Sequence, residues 1–203
     1  LKGCFYSLLG KLPLPEEIKG TSEKKLLHIS DTPTCFYPCL QRLMENLKPD
    51  IIVHTGDLAD DIKLEDCLGR LPHYNNVIGG FLDILENTPA KEIYIVPGNH
   101  DAVTVISRHS RRSVLKSNGS TLDIAGQKVG VSHEIEGLPK ETKYNLFGHN
   151  FSSSHPGEQM GRIFLNGLKN MNIVLLPSWK IFNLSYPMGT NDARQMNNFF
   201  RTL

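Results

Sequence analysis

Long apolar runs are missing from this chain of 203 residues: no stretch approaches the length of a membrane span, and Leu1 to Leu9 carry neither a sustained apolar core nor a small-residue cleavage site. The expectation is a soluble, cytoplasmic protein. A charge imbalance is missing as well. Lys and Arg number 22 against 21 Asp and Glu, a formal net charge of +1, so no global field favours extended nucleic-acid binding or a membrane surface. The four cysteines, Cys4, Cys35, Cys39 and Cys67, have no CxxC spacing, and reduced thiols are expected. Internal repeats and low-complexity linkers are absent too. What remains is an ordinary composition, 39% hydrophobic and 21% charged, sufficient for one well-buried core. A single domain over residues 1–203 is expected, with residues 1–24 as a leader; oligomeric state has no sequence signal.

What the chain does have is a rhythm. Lys25 to Ser30 reads as a short strand ending at Asp31, Ile51-Ile52-Val53 as a second stopping at Thr55-Gly56-Asp57, and Glu92 to Val96 as a third that delivers the turn Pro97-Gly98-Asn99-His100-Asp101. Between them, apolar residues recur at helical spacing from Phe36 to Leu47, with Pro38 in the first turn, and from Val77 to Glu86. Such alternation implies parallel βαβ units, whose functional residues gather at the C-terminal ends of the strands. Beyond the turn the pattern changes. Thr121 to Ile124 and Lys128 to Val131 read as an antiparallel hairpin, followed by strands at Tyr144 to Phe147, Arg162 to Leu165 and Asn172 to Leu176. The prediction is an α/β fold of two packed sheets with helices outside.

Asp31, Asp57, Asn99, His133 and His149 all fall just past strand ends. Singly, each has an ordinary explanation, since an Asp there usually forms a turn and a His usually makes a hydrogen bond. Together they form a mixed oxygen and nitrogen donor set that suits Mn, Fe or Zn better than Ca or Mg. Gly98 is expected to take a backbone conformation closed to other residues and so aim Asn99 and His100, while Asp101 is expected to cap the following helix.

The segments His28-Ile29-Ser30-Asp31, Gly56-Asp57-Leu58-Ala59-Asp60, Gly98-Asn99-His100-Asp101, Ser132-His133 and Gly148-His149-Asn150 resemble, in order and approximate spacing, the five metal motifs of the calcineurin-like metallophosphoesterases. The resemblance spans the core from Lys25 to Trp179 and leaves 180–203 as a C-terminal extension. It implies two packed mixed sheets flanked by helices, an αββα sandwich. It also implies divalent ions that activate a water for in-line attack on a phosphate mono- or diester. By the same resemblance Asp57 bridges two ions, Asn99, His133 and His149 complete the second site, and Asp31 serves the first. His100 would stand beside the phosphate, with Asp60 orienting its ring.

Two motifs depart from the family pattern. Where the family has Asp-x-His this chain has Asp31-Thr32-Pro33, and where it has Gly-His-x-His this chain has Gly148-His149-Asn150-Phe151. Both missing histidines belong to the first ion, whereas the second keeps its full set. Replacement ligands for the first ion would come from His155, Asn150 or Cys35. Alternatively a single ion suffices, or catalysis is lost and the fold serves as a protein-binding scaffold. The basic run Arg108 to Arg112 reads as a solvated helix face with a phosphate contact as the alternative, and Pro177 to Pro187, which carries the single Trp, as a loop completing the core or lining a substrate groove. No readable code selects the substrate beyond a phosphate ester.

Overall fold

Two runs of buried β-branched and leucine residues set the architecture of the computed structural model, which describes residues 12, 14–149 and 158–194. Its helices are α1 (Glu16–Gly20), α2 (Tyr37–Leu47), α3 (Leu71–Glu86), α4 (Val103–His109) and α5 (Thr190–Ala193). The strands are β1 (Lys24–Ile29), β2 (Ile51–His54), β3 (Glu92–Ile95), β4 (Val114–Leu115), β5 (Ser120–Ile124) and β6 (Gln127–Val131). They continue with β7 (Tyr144–Phe147), β8 (Glu158–Gln159), β9 (Arg162–Asn166), β10 (Asn170–Leu176) and β11 (Ile181–Ser185). One sheet has the order β11-β10-β1-β2-β3-β4 and the other β5-β6-β7-β9-β8. Both sheets are mixed: β1 to β4 run parallel, β10 lies antiparallel between β1 and β11, and in the second sheet parallel β6, β7 and β9 have antiparallel partners at the edges.

Alternation of side chains sorts the core. In β1, Leu27 and Ile29 face the helices while Leu26 faces the second sheet; in β2, Ile52 faces the helices while Ile51 and Val53 face the second sheet. Helix α2 buries Cys39, Leu40, Leu43, Met44 and Leu47, one stripe at helical spacing, and ends at Lys48 in a left-handed conformation. The inter-sheet core, built from Val53, Val96, Leu122, Val129, Leu146 and Leu176 among others, receives no buried helical side chain among the described residues.

Several expected elements occur with shifted ends. Helix α3 begins at Leu71 rather than Val77, because Pro72 falls in the first turn, where a missing N–H costs nothing. The segment expected as a loop after Trp179 contains β11, paired antiparallel with β10. Trp179 stacks on Tyr144 with ring centroids 3.9 Å apart, so the ring completes the inter-sheet core. The basic run is also structural: Arg111 pairs with Asp83 at 2.7 Å, and Arg112 donates through Nε to the Glu86 carbonyl at 2.8 Å, both tying the end of α3. No described helix is long and apolar enough to cross a membrane, and none of Cys35, Cys39 and Cys67 is in a disulfide.

Candidate metal centre

The parallel strands β1, β2 and β3 end side by side, and backbone hydrogen bonds lace their following turns. Asp31 N donates to Gly56 O at 2.8 Å, Thr32 N to Asp57 O at 2.8 Å, and Asp60 N to Thr32 O at 3.1 Å. Asp31 (φ 51°) and Asp57 (φ 57°) both adopt left-handed backbone, a conformation Asp tolerates better than most residues. The two carboxylates thus meet below the turn after β3.

Asp101 holds this arrangement together. Its carboxylate accepts Asp57 N at 2.7 Å, Leu58 N at 2.9 Å, Gly98 N at 2.9 Å and the Tyr74 hydroxyl at 2.7 Å. The expected helix cap does not form: Ala102 is the N-cap of α4, and Asp101 braces the turns after β2 and β3 instead. The reason for Gly98 is corrected too. Its φ is not left-handed; the constraint is space, since a Cβ would lie 2.3 Å from Asp57 Oδ1. Left-handed backbone is instead required one strand earlier, at Gly56 (φ +103°), where a Cβ would also strike His133 Nδ1 at 2.4 Å.

Around the two carboxylates the predicted donors gather. One ligand atom from each of Asp31, Asp57, His133 and His149 lies within 4.8 Å of every other, and the same holds for Asp57, Asp60 and His100. His133 Nε2 is 3.5 Å from Asp57 Oδ2 and 2.9 Å from Asn99 Oδ1. Its Nδ1 lies 2.7 Å from the Thr55 carbonyl, a bond that puts the ring proton on Nδ1 and leaves the Nε2 lone pair facing the two oxygens. The ring of His149 tilts against that of His133 at 5.3 Å, and its Nδ1 is 3.9 Å from Asp31 Oδ1. Asn118 fixes the turn that carries His133 by accepting its backbone N–H at 2.6 Å.

These donors fit a cation. Asp31 Oδ2 and Asp57 Oδ2 are buried without a hydrogen-bond partner, an expensive state for a carboxylate oxygen. Burial first, then the neighbouring Asp31, Asp101 and Asp60 carboxylates, push the Asp57 carboxyl well above the usual range. Adjacent ligands of an ion held at about 2.0–2.2 Å are separated by about 3 Å, close to the spacing of His133 Nε2, Asn99 Oδ1 and Asp57 Oδ2. Two further buried histidines are scaffold. His54 accepts Gly56 N at Nδ1 and meets Thr32 Oγ1 at 2.8 Å, while His28 lies between Thr55 Oγ1 and Asn172 Nδ2, its pKa lowered by burial to about 3.

His100 stands apart from the cluster's histidines. It is buried, its backbone N–H donates to Asp57 Oδ1 at 2.9 Å, and its Nδ1 accepts Glu65 N at 3.3 Å. The proton of the neutral ring therefore sits on Nε2, 3.4 Å from Asn99 Nδ2. Burial first, then Lys63, lowers the imidazole pKa, against the opposing pull of Asp60, Asp66 and Glu65. Asp60 does not hydrogen-bond the ring; its carboxylate pairs with Lys63. Glu65 in turn accepts from the Asn99 amide. Lys63 and Glu65 carry no motif, and only the folded loop between β2 and α3 shows them.

On the other flank, the fully buried Arg194 donates to the carbonyls of Asp31 (Nε, 2.5 Å), Leu168 (Nη1, 2.8 Å) and Ser30 (Nη2, 3.1 Å) and lies 4.1 Å from the centroid of the Tyr186 ring. This residue too was invisible from sequence, because its partners are carbonyls far away in the chain. Of the expected replacement ligands, Cys35 belongs to neither donor cluster, and Asn150 and His155 lie outside the described residues.

The family model for calcineurin-like phosphoesterases matches residues 24–200. Among solved structures, a crystal structure 14% identical in sequence superposes with a TM-score of 0.53, covering 81% of this chain and all of that one. The phosphoesterase YfcE from E. coli, 15% identical, gives a TM-score of 0.48 over 78% of this chain and 96% of its own. A protein from Pyrococcus abyssi named DNA primase large subunit PriL is 27% identical over 158 residues, 71% of this chain. The chain spans 38% of that relative's length.

Proposed function

Since the chain belongs to the calcineurin-like phosphoesterase family, we propose that it hydrolyses a phosphate mono- or diester with a divalent ion, through a site whose first ion is weakly held. The observation that carries this reading is the convergence of Asp57 Oδ2, Asn99 Oδ1 and a lone pair of His133 beside two buried carboxylate oxygens without partners. Asp57, Asn99, His133 and His149 would hold the ion, with Asp31 the remaining side chain for a first one; Mn, Fe and Zn suit this donor set. When bound, the ion supplies Lewis acidity toward a phosphoryl oxygen and an acidified water.

The rest is done by the chain. Asp101 and the glycines hold Asp57 rigid, so the site needs little rearrangement on binding. The Glu65 N–H fixes the His100 tautomer, leaving Nε2–H as the donor to a phosphoryl or leaving oxygen. Asn99, tied by Glu65, presents its oxygen to the ion rather than its amide. We place the protein in the cytoplasm, a reading with which Cys39 and Cys67 outside disulfides accord.

The test is metal analysis of the purified protein followed by assay on aryl phosphate mono- and diesters. Turnover with Mn, Fe, Ni or Zn that falls by about a hundredfold or more in His100→Ala is the expected result. No turnover with any of these ions would overturn it. A second reading, a binding scaffold without catalysis, draws on Pro33 at a ligand position and on the match to a protein named as a primase subunit. Protein purified without bound metal, and unable to take it up, would favour that alternative.

A further inference from the structure

The loop between β2 and α3 places a lysine where solvent would be the usual choice. Lys63 is flanked by Ile62 and Leu64, both 4% exposed and both part of the helical-side core. Its backbone is left-handed (φ 50°), and the loop around it is tied by Arg70 Nη1 to the Ile62 carbonyl at 2.7 Å and by Cys67 N to the Leu64 carbonyl at 3.2 Å. The Lys63 side chain is 11% exposed and pairs with the Asp60 carboxylate, which is 4% exposed. Asp60, Asp57 and His100 lie within 4.8 Å of one another by their ligand atoms. A compact ammonium therefore stands at the edge of the carboxylate cluster, next to the histidine expected at the phosphate.

A buried ion pair contributes little net stability, because desolvation offsets the attraction. Left-handed backbone at a lysine costs free energy as well. Both costs are borne at a site with excess negative charge, in a chain whose Pro33 and Phe151 withdraw two nitrogen donors from the first ion. A phosphate dianion entering such a site needs positive charge on the side away from the second ion, and an ammonium can provide it as a point charge with three donors.

We propose that Lys63 replaces the first metal ion in charge and in phosphate contact, so that the chain binds the phosphoryl group between one divalent ion and one lysine. This rests on the phosphoesterase reading above. Lys63 donates to a phosphoryl oxygen and shares its remaining protons with Asp60, and the site takes up one ion per chain.

Inorganic phosphate is the probe, titrated calorimetrically into the purified chain loaded with Mn, alongside elemental analysis of ion content. The wild type is expected to hold one ion per chain. The double variant Lys63→Met with Asp60→Asn, which removes the pair without leaving a bare charge, should keep that ion but bind phosphate about ten- to a hundredfold more weakly. Lys63→Arg, which keeps the positive charge beside Asp60, should retain most of the wild-type phosphate affinity. Two ions per chain in the wild type overturn the proposal without recourse to any variant, as does unchanged phosphate affinity in the double variant at one ion per chain; both leave the phosphoesterase reading standing. No ion in the wild type defeats that reading and this proposal together.

Discussion

At Gly98 an added methyl group would lie 2.3 Å from Asp57 Oδ1 and 2.7 Å from His133 Cε1, and both of those side chains are buried. Neither can step aside without moving the other. Gly98→Ala is expected to weaken Mn binding by about tenfold or more and to destabilise the fold by about 1–3 kcal/mol, as overpacking does; calorimetric titration with Mn and urea unfolding check the two effects separately. His28 gives a second residue-level expectation. Its folded pKa of about 3 lies below the ordinary 6.5, so the unfolded chain binds the extra proton between those values. Stability from its neutral burial is complete above pH 6.5 and declines as pH falls toward 3. Replacing His28 by Gln should thus narrow the stability gap between wild type and variant by about 2 kcal/mol on going from pH 7 to pH 5, measured by denaturant unfolding at the two values.

At the level of elements, Glu86 shows how a helix end is anchored. Its carboxylate accepts Arg111 N at 3.1 Å, Arg112 N at 3.2 Å, Ser113 N at 3.0 Å and Ser113 Oγ at 2.7 Å, joining α3 to the segment that leads into β4. Burial raises the Glu86 pKa, but these hydrogen bonds outweigh it and hold the carboxyl below its usual range. Glu86→Ala should cost about 3 kcal/mol through stranded donors, read as a lower urea midpoint with unchanged slope. Such anchoring also separates what could be read in the sequence from what could not. Strands β1, β2 and β7 were legible because they bury short, largely apolar runs on both faces, and β3 because buried Ile93 and Ile95 alternate with half-buried neighbours. Strand β11 was not, since its residues alternate between half-buried and exposed and the run opens with Pro177 and Trp179. Asp31, Asp57, Asn99, His100, His133 and His149 could be picked out because a strand end followed by a polar residue is a local pattern. The bracing role of Asp101 and that of Arg194 are long-range facts, carried largely by backbone groups that any residue possesses, whereas Lys63 pairs locally with Asp60 and gains its place only when the fold brings His100 beside that carboxylate.

At the scale of the whole molecule, β1 lies between β2 and β10, and its His28 meets Asn172 across 144 positions of sequence. Arg194 repeats that closure at the site itself, clasping the carbonyls of Ser30 and Asp31 from the C-terminal side. Arg194→Met should leave the Asp31 carbonyl without its donor and the Ser30 carbonyl with only the Tyr186 hydroxyl at 3.2 Å, lowering stability by about 3 kcal/mol and the melting temperature by about 6–12 °C. It should also weaken Mn binding, because the turn that holds Asp31 loses its clasp. Arg194→Lys cannot reproduce a planar fork that serves three carbonyls and should restore less than half of the loss; thermal melts with and without Mn compare the two.

The same closure orders events during synthesis. As the chain leaves the ribosome, β1, β2 and β3 with their polar turns emerge long before the segments that carry His133, His149, β10 and Arg194. Until β10 arrives, β1 presents an open hydrogen-bonding edge, the kind of surface to which chaperones and other nascent chains attach. A translating chain of this protein therefore carries its clustered carboxylates early and the histidines beside them late, so the complete donor cluster exists only at the last stage of its biogenesis.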